Sequence, residues 1–259
     1  MRVIRFDKGD GTYGFGVLED DSTRVMVLAE NPLYSPGKIN ATGQILQLED
    51  VRLVAPVIPA SKLVGVGANF YAPGAEHTPP ESDPILFLKP NTTVIGPGAP
   101  IMLPKWAKEI VHEAEIGVVI KHPAKDIDPA HWKDYVFGYT VVNDLTARDA
   151  MAVDKTWMRG KSFDTACPIG PWIVVDPDLD PQNLRIRSWV DSELRQDDTS
   201  ANMIHSVAKL VAYISRVTTL LPGDVILTGT PAGSGTLEDG QTMTCEVEGI
   251  GTLTNPVRR

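Results

Sequence analysis

Two glutamates stand two residues apart in an apolar run of the chain, Glu113 and Glu115 within residues 112–120. If this run is a β-strand, both carboxylates project from one face, because side chains i and i+2 of a strand point the same way. Like charges this close repel each other unless a cation lies between them. Asp144 follows the next predicted strand, residues 137–142, and adds a third carboxylate if the two strands are neighbours. The glutamates alone support a divalent-metal site and a solvated acidic sheet face about equally.

Positively charged residues near this set favour the metal site. An all-oxygen set of ligands suits Mg²⁺ or Mn²⁺, and the sequence holds no Cys or His cluster with zinc spacing. Lys89, Arg148 and Lys161 each stand in a short polar or strand-end motif. Alone, each would be a surface charge with a solvated head. Beside a metal, together they predict a pocket for a small anionic substrate that carries one or two carboxylates.

A glycine-rich stretch at residues 227–235 follows another predicted strand. It lacks the lysine of a phosphate-binding loop and no helical pattern follows it, so a nucleotide site is not expected. The stretch either presents Thr230 and backbone N–H groups to a ligand or simply connects two strands. Nucleophilic catalysis has no support, because no Gly-x-Ser-x-Gly motif occurs and the apolar setting of Cys167 predicts inert packing.

Composition restricts the partners of the chain. Its 259 residues carry a net charge of −9, which argues against nucleic acid and anionic membrane surfaces. Two cysteines make no disulfide framework, and this favours a reducing cytoplasm. The start of the chain lacks the order of a signal peptide, and no apolar run approaches the roughly 18 residues of a membrane span. We therefore expect a cytoplasmic protein with neither a nucleic-acid nor a membrane partner.

The elements that must position these residues are short strands. The 22 Gly and 21 Pro are spread along the chain and favour many turns. Residues 1–55 are predicted to form a small N-terminal β domain with a hairpin around residues 9–11, and residues 56–259 the main domain. One long helix is expected at residues 200–217, with an apolar face that runs from Ile204 to Val217. This pattern predicts a mainly β (α+β) roll or sandwich and not a βαβ alternation.

Six sequence blocks occur in an order that resembles the fumarylacetoacetate hydrolase family. They are residues 112–115 (HEAE), 138–144 (GYTVVND), 147–149 (ARD), 160–164 (GKSFD), 168–172 (PIGPW) and 222–233 (PGDVILTGTPAG). The resemblance covers about residues 62–257, which is most of the chain. Six blocks in one order are far more specific than any single motif.

The resemblance implies a mixed β-sandwich roll that forms a homodimer and binds Mg²⁺ or Mn²⁺. The family's two metal-binding glutamates and its aspartate match Glu113, Glu115 and Asp144. The family's active-site lysine matches Lys161, and its substrate-binding arginine and threonine match Arg148 and Thr230. Lys89 is expected from the residues alone to bind substrate as well.

The same resemblance implies chemistry on 2-oxo or 2,4-dioxo acids through a metal-bound enolate. C–C bond hydrolysis of an acylpyruvate-type substrate is the first expectation. Decarboxylation of oxaloacetate and isomerisation of 2-hydroxy-dienoate diacids are the alternatives. A catalytically impaired protein that binds the metal and the oxo acid is a further alternative from another functional class.

A loop after the first strand of the main domain, residues 70–84, departs from the family pattern. Many hydrolases and decarboxylases of the family carry a histidine and a glutamate in this lid. Here Glu76 matches the glutamate, Pro73 stands at the histidine position, and His77 is shifted along the chain. Glu76 or His77 is therefore the expected catalytic base, and an exposed loop histidine is the alternative. Met151 is a second departure, where some hydrolases carry glutamine.

Overall fold

The chain folds mainly into β-strands. The computed structural model describes residues 1–19, 22–35, 39–78, 80 and 82–259. The first strands in these residues are β1 (Arg2–Asp7), β2 (Tyr13–Leu18), β3 (Arg24–Leu28), β4 (Ala41–Gln47), β5 (Arg52–Val54), β6 (Leu63–Gly67), β7 (Ile85–Lys89), β8 (Val94–Ile95), β9 (Ile101–Met102) and β10 (Ile110–Val111). They are followed by β11 (Ala114–Ile120), β12 (Val136–Asn143), β13 (Thr146–Ala147), β14 (Cys167–Val174), β15 (Arg185–Val190), β16 (Glu193–Thr199), β17 (Val225–Leu227), β18 (Thr242–Val247) and β19 (Gly251–Arg258).

Two large sheets contain nearly all of these strands. The larger sheet has the order β4-β3-β2-β1-β14-β12-β11-β17-β6-β7, with β5 paired to β1 and β8 paired to β14. The smaller sheet has the order β16-β15-β18-β19-β9. Strands β11, β12 and β14 of the first sheet lie against β15, β18 and β19 of the second, and buried side chains fill the space between them. The expected mainly β, mixed sandwich-like roll with few helices is confirmed.

The N-terminal strands continue the larger sheet. β1 and β2 form the expected antiparallel hairpin, with Gly9 and Gly11 at positive φ in the turn. The other edge of β1 pairs with β14 of the main body, where Arg2 lies opposite Val174. One hydrogen-bonded sheet therefore runs from the N-terminal unit into the body. The proposed domain division at residue 55 stays a prediction.

Strand β11 lies in the middle of the larger sheet. Every residue from Ala114 to Ile120 is buried, because the strand is covered on both faces and flanked by β12 and β17. Glu115 lies opposite Val142 in the antiparallel pairing with β12, so the two predicted strands are neighbours. The strand is shorter than residues 112–120, since it begins at Ala114. Glu113 therefore lies just before the strand and not inside it.

Helices are few and short. The α-helices in the described residues are α1 (Arg148–Val153), α2 (Met158–Lys161) and α3 (Val207–Val217), and the 3₁₀ helices are Pro32–Tyr34, Leu48–Asp50, Asn91–Thr93, Pro129–Tyr135 and Ser200–Asn202. Nothing in the periodicity of the sequence predicts α1 or α2. In the part of the chain that the structure describes, no helix has the length and apolar character to cross a lipid bilayer.

The expected long helix at residues 200–217 is wrong in its first turns. A 3₁₀ turn ends at Asn202, and α3 begins only at Val207. Ser206 caps α3 by accepting a hydrogen bond from the Lys209 N–H at 3.3 Å, while the Ile204 N–H donates to the Asn69 carbonyl at 2.8 Å. These bonds use amides that a continuous helix would need. The apolar face is also shorter than expected, because Val217 is 61% exposed.

The division of α3 into a buried face and an exposed C-terminal end gives a stability prediction. Ile214 is fully buried in α3, so Ile214→Ala is expected to lower the free energy of unfolding by about 2–5 kcal/mol. Val217→Ala, at the exposed end of the same helix, is expected to change it by no more than about 0.5 kcal/mol. Urea unfolding of both variants measures the difference. Similar losses for the two variants would contradict this assignment of the buried face.

Candidate metal centre

Three carboxylates meet where β11 and β12 come together. Glu113 precedes β11, Glu115 is its second residue, and Asp144 follows β12 directly. The Asp144 N–H donates to the Glu113 carbonyl at 2.9 Å, which ties the two strand ends to each other. One carboxylate oxygen from each of the three residues lies within 4.8 Å of the others. The structure thus brings together the three residues that the sequence singled out.

Two lysine ammonium groups neutralise part of this charge. Lys161 Nζ donates to Asp144 Oδ2 at 2.5 Å and to Glu113 Oε2 at 2.8 Å. Lys89 Nζ donates to the other oxygen of Asp144, Oδ1, at 2.6 Å and to the Leu145 carbonyl at 3.1 Å. When all five groups are ionised, three carboxylates and two ammonium groups leave one net negative charge in a largely buried space.

Lys161 and Lys89 are held differently from what their sequence settings suggest. Lys161, expected in a polar loop, is the last residue of helix α2 and is nearly fully buried. Its ammonium also lies 4.6 Å from the centre of the Phe87 ring. Lys89 ends β7 with a side chain that has no exposed surface. In this structure the Lys89 ammonium orients the Asp144 carboxylate through its hydrogen bond to Oδ1. The expected contact of Lys89 with substrate stays a prediction.

Glu115 has no cation within ion-pair distance in the described residues. Its side chain accepts one hydrogen bond there, from the Gly229 N–H to Oε2 at 2.7 Å. Gly229 has φ +92° and lies just after β17, so the turn aims its amide at the carboxylate. Glu113, in contrast, accepts from Thr146 Oγ1 at 2.9 Å as well as from Lys161. Glu115 is therefore the carboxylate whose negative charge has the fewest compensating partners.

The pKa values of the acids follow from this arrangement. Burial first, and then the nearby Asp144, raises the pKa of Glu115 well above its ordinary range. Burial also raises the pKa of Glu113, although Lys161 opposes this. Burial alone would raise the pKa of Asp144, but Lys161 and Lys89 outweigh it and hold the value below its ordinary range. Burial would lower the pKa of Lys161, and Asp144 and Glu113 more than reverse this, so the ammonium stays charged.

The residues fit a hard divalent cation. Carboxylate oxygens are the ligands that Mg²⁺ and Mn²⁺ prefer, and each oxygen retains a lone pair after it accepts one hydrogen bond. The three carboxylate oxygens lie within 4.8 Å of one another, and opposite ligands of Mg²⁺ lie about 4.2 Å apart, twice its usual bond length. Thr146, Lys89 and the Gly229 amide orient the three acids from outside, as supporting groups do in metal sites. A cation here would also compensate Glu115.

A buried glutamine that sequence reasoning missed holds the backbone between the two glutamates. Gln196 Oε1 accepts from the Ala114 N–H at 3.1 Å and from Ser188 Oγ at 2.9 Å. Gln196 Nε2 donates to Thr230 Oγ1 at 2.7 Å and to the Pro231 carbonyl at 2.8 Å. This side chain, on β16, thus connects the smaller sheet to the site. Its strand is almost entirely polar and mostly exposed, so no sequence signal could have marked this residue.

Thr230 and Arg148 lie around the centre without touching its carboxylates. The Thr230 hydroxyl donates to the Ala114 carbonyl at 2.9 Å, so in this structure it braces the strand between the glutamates. Arg148 is half-exposed at the start of α1 and contacts Ser234 Oγ at 3.3 Å and Glu109 at 3.7 Å. A role in substrate binding stays a prediction for both.

The lid residues lie apart from the carboxylates. His77 stacks on Tyr71 with ring centres 4.4 Å apart, and both Glu76 and His77 are exposed. In the described residues, no hydrogen bond or ion pair joins either side chain to the carboxylate cluster. Pro79 and Glu81 of the expected lid lie outside the described residues. A catalytic role for Glu76 or His77 therefore stays a prediction.

No described cysteine competes for the role of nucleophile. Cys167 is fully buried at the start of β14, and burial raises the pKa of its thiol. A thiol held neutral and out of solvent is unreactive. The expected packing of Cys167 in an apolar setting is confirmed.

Comparison with protein-family models accounts for almost the whole chain. Residues 62–258 match the model of the fumarylacetoacetate (FAA) hydrolase C-terminal domain. Residues 1–56 match a model described as Rv2993c-like, N-terminal. The first match contains the three carboxylates and both lysines.

Three known proteins illustrate the similarity. The structure of 5-carboxymethyl-2-hydroxymuconate delta-isomerase from Mycobacterium smegmatis is 47% identical, with a TM-score of 0.91 and 100% of each chain covered. Oxaloacetate tautomerase fahd2, mitochondrial, from Xenopus laevis is 36% identical over 85% of this chain and 72% of that protein. The structure of maleylpyruvate hydrolase from Sphingobium sp. SYK-6, in complex with manganese(II) and pyruvate, is 28% identical, with a TM-score of 0.82, and covers 100% of this chain and 99% of the other.

The raised pKa of Glu115 gives a pH prediction for the metal-free protein. Above the ordinary value of 4.5, folded Glu115 retains a proton that the unfolded chain has released. The free energy of unfolding therefore falls as the pH rises through this window. Glu115→Gln removes the titrating group, so the variant is expected to lose this downward contribution. Urea unfolding from about pH 5 to about pH 8, in a metal-free buffer, measures both proteins.

The comparison of the two proteins also supplies the control. Burial lowers the pKa of His112 to about 4, so this residue makes the free energy of unfolding rise between that pH and 6.5. The effect is present in both proteins and cancels in their difference. Equal pH slopes for parent and variant would contradict the claim that Glu115 is an uncompensated buried acid.

Proposed function

The chain belongs to the fumarylacetoacetate hydrolase family, and we propose that it is a divalent-metal-dependent enzyme that isomerises a small 2-oxo acid by moving a proton. The observation that carries this proposal is the buried cluster of Glu113, Glu115, Asp144 and Lys161. The cluster offers three carboxylate ligands beside one fixed ammonium group. Mg²⁺ or Mn²⁺ is the proposed ion, and a manganese-bound relative supports a divalent metal.

The proposed reaction begins with loss of a proton from C3 of the 2-oxo acid. A base takes the C3 proton as the C–H bond breaks, the electron pair of that bond forms a C2–C3 double bond, and negative charge develops on the C2 oxygen. Return of the proton at the oxygen or at a conjugated carbon completes the shift, so no co-reactant is consumed. A bound divalent ion would supply Lewis-acid stabilisation of the developing charge.

Lys161 is the residue of this chain best placed to stabilise the negative charge on the C2 oxygen. Its raised pKa keeps the ammonium protonated, so it provides fixed positive charge and not a base. Two of its three N–H donors are used on Asp144 and Glu113, which leaves one for a substrate oxygen. The nearby Phe87 ring adds an apolar surface beside this donor. The proposed substrate-binding residues are those expected from the sequence, namely Arg148, Thr230 and Lys89.

The absence of the family's lid histidine favours isomerisation over hydrolysis. Hydrolysis, the first expectation from the sequence, needs a base that activates water next to the substrate. Pro73 occupies the family's histidine position, and the exposed Glu76 and His77 make no contact with the cluster in the described residues. A proton shift also needs a base, but it needs no water held and activated beside the substrate. The isomerase and the tautomerase among the relatives support the same choice.

Hydrolysis of an acylpyruvate-type substrate is the second candidate. A hydrolase is among the structural relatives, and its complex contains pyruvate. This chemistry requires Glu76 or His77 to approach the cluster when the lid closes over a substrate. Homodimer formation, a cytoplasmic location and the small anionic oxo acid itself likewise stay proposals.

Turnover of a substrate panel tests the proposal. The panel holds a 2-hydroxy-dienoate diacid, oxaloacetate as its enol and keto forms, and an acylpyruvate. We expect Mg²⁺- or Mn²⁺-dependent interconversion of the first two, followed by ultraviolet absorbance and abolished by EDTA. Glu115→Ala is expected to lose both metal binding, measured by calorimetry, and turnover, because one of three ligands is removed.

The panel also separates the alternatives. Faster cleavage of the acylpyruvate than isomerisation of the dienoate would favour the hydrolase. Release of CO₂ from oxaloacetate would favour a decarboxylase. Binding of oxalate with no turnover of any member by the metal-loaded protein would favour a catalytically impaired binding protein. Unchanged metal binding in Glu115→Ala would overturn the assigned centre.

A further inference from the structure

Asn69 stands at the junction between the lid and the metal centre. It follows β6 directly after Ala68, a non-glycine residue with φ +52°. This left-handed backbone turns the chain sharply out of the sheet. The side chain of Asn69 is 1% exposed, which is unusual for an amide unless its hydrogen bonds are satisfied.

The amide of Asn69 joins two other chain segments. Nδ2 donates to the Thr228 carbonyl at 2.7 Å and to the His205 carbonyl at 3.1 Å. Oδ1 accepts from the His205 N–H at 2.8 Å, and the backbone carbonyl of Asn69 accepts from Ile204 at 2.8 Å. One residue thus holds the segment before α3 and the turn after β17 against the end of β6.

The turn after β17 is the one that reaches Glu115. Gly229 donates its N–H to Glu115 Oε2 at 2.7 Å, and the preceding carbonyl is the one that Asn69 binds. Asn69 and Gly229 are also packed closely, since a Cβ placed on Gly229 would lie 2.7 Å from the Asn69 Cβ. Movement of Asn69 would therefore move the amide that orients Glu115.

The residues that follow Asn69 are fixed to the same segment before α3. Phe70 forms an isolated β-bridge with Met203, and the Tyr71 N–H donates to the Asn202 carbonyl at 3.0 Å. Tyr71 in turn stacks on His77. The root of the lid and the turn that contacts Glu115 therefore share Asn69 as their common support.

We propose that Asn69 is a positioning residue that sets the divalent-metal affinity of Glu115 and the order of the lid root together. The inference rests on the proposed function, because it assigns the metal to the same three carboxylates. Asn69 contacts no metal ligand itself. It acts through Thr228 and Gly229, which hold the Glu115 carboxylate in place.

The substitution Asn69→Asp tests this with little change of shape. The aspartate keeps the acceptor for the His205 N–H and the packing against Gly229. It replaces the two N–H donors with an oxygen that faces two carbonyls, so the turn is pushed away. Loss of a supporting contact behind a metal ligand lowers metal affinity by about 10- to 100-fold. We expect a loss in this range, together with faster amide hydrogen exchange in residues 70–78.

The experiment measures Mn²⁺ alone by calorimetry on the full chain, and hydrogen exchange by mass spectrometry. Asn255→Asp is the matched control, because Asn255 is also buried and its Nδ2 donates to the Gly96 and Ala99 carbonyls at 2.9 and 2.8 Å. This control loses the same kind of bonds away from the carboxylates, so Mn²⁺ affinity and exchange in residues 70–78 are expected to stay at parent values. Asn69→Ser provides a smaller change if Asn69→Asp does not fold.

Folded Asn69 variants that bind Mn²⁺ as tightly as the parent would overturn the inference. An equal loss in Asn255→Asp would overturn it too, since the effect would then be general destabilisation. Failure of the proposed function has a different signature. In that case the parent binds Mn²⁺ and converts no member of the substrate panel, while the difference between Asn69 and Asn255 variants remains.

Discussion

Three carboxylates that share one buried space must be neutralised, and the arrangement of the fold around the site follows from this requirement. Removing a charge from water is costly unless partners compensate it. Lys161 and Lys89 do so for Glu113 and Asp144, and each lysine comes from a different element, α2 or β7. Glu115 receives one backbone amide. The negative charge that these partners leave would favour a divalent cation at the site.

The same requirement accounts for the backbone around the acids. Central strand β11 is covered on both faces, so its glutamate side chain cannot turn to solvent. Gln196 fixes the peptide between the two glutamates, and Asn69 fixes the turn that supplies the amide to Glu115. Two buried carboxamides, one in β16 and one just after β6, thus hold the backbone segments that position Glu115. Such preorganisation reduces the rearrangement that an ion would need when it binds.

The sequence predicts those parts of the fold and the site that depend on residues close together in the chain. The hairpin at residues 9–11 and the adjacency of the strands that hold Glu115 and Asp144 depend on short stretches of sequence, and the structure agrees with both. The sites of disagreement involve distant partners. The α3 boundary depends on the Asn69 carbonyl, 135 positions before Ile204, and the burial of Lys89 depends on Asp144. Periodicity contains no information about such contacts, nor about where Glu76 and His77 lie when a substrate is bound.

The most direct test of the central claim is the position of a bound ion. Crystals of the protein grown with Mn²⁺ would be measured by anomalous diffraction at the manganese edge. The account predicts one strong peak between Glu113, Glu115 and Asp144, with Lys161 and Lys89 still beside the carboxylates. Manganese bound elsewhere, with Lys161 still bridging Glu113 and Asp144 and no peak between the three acids, would contradict it.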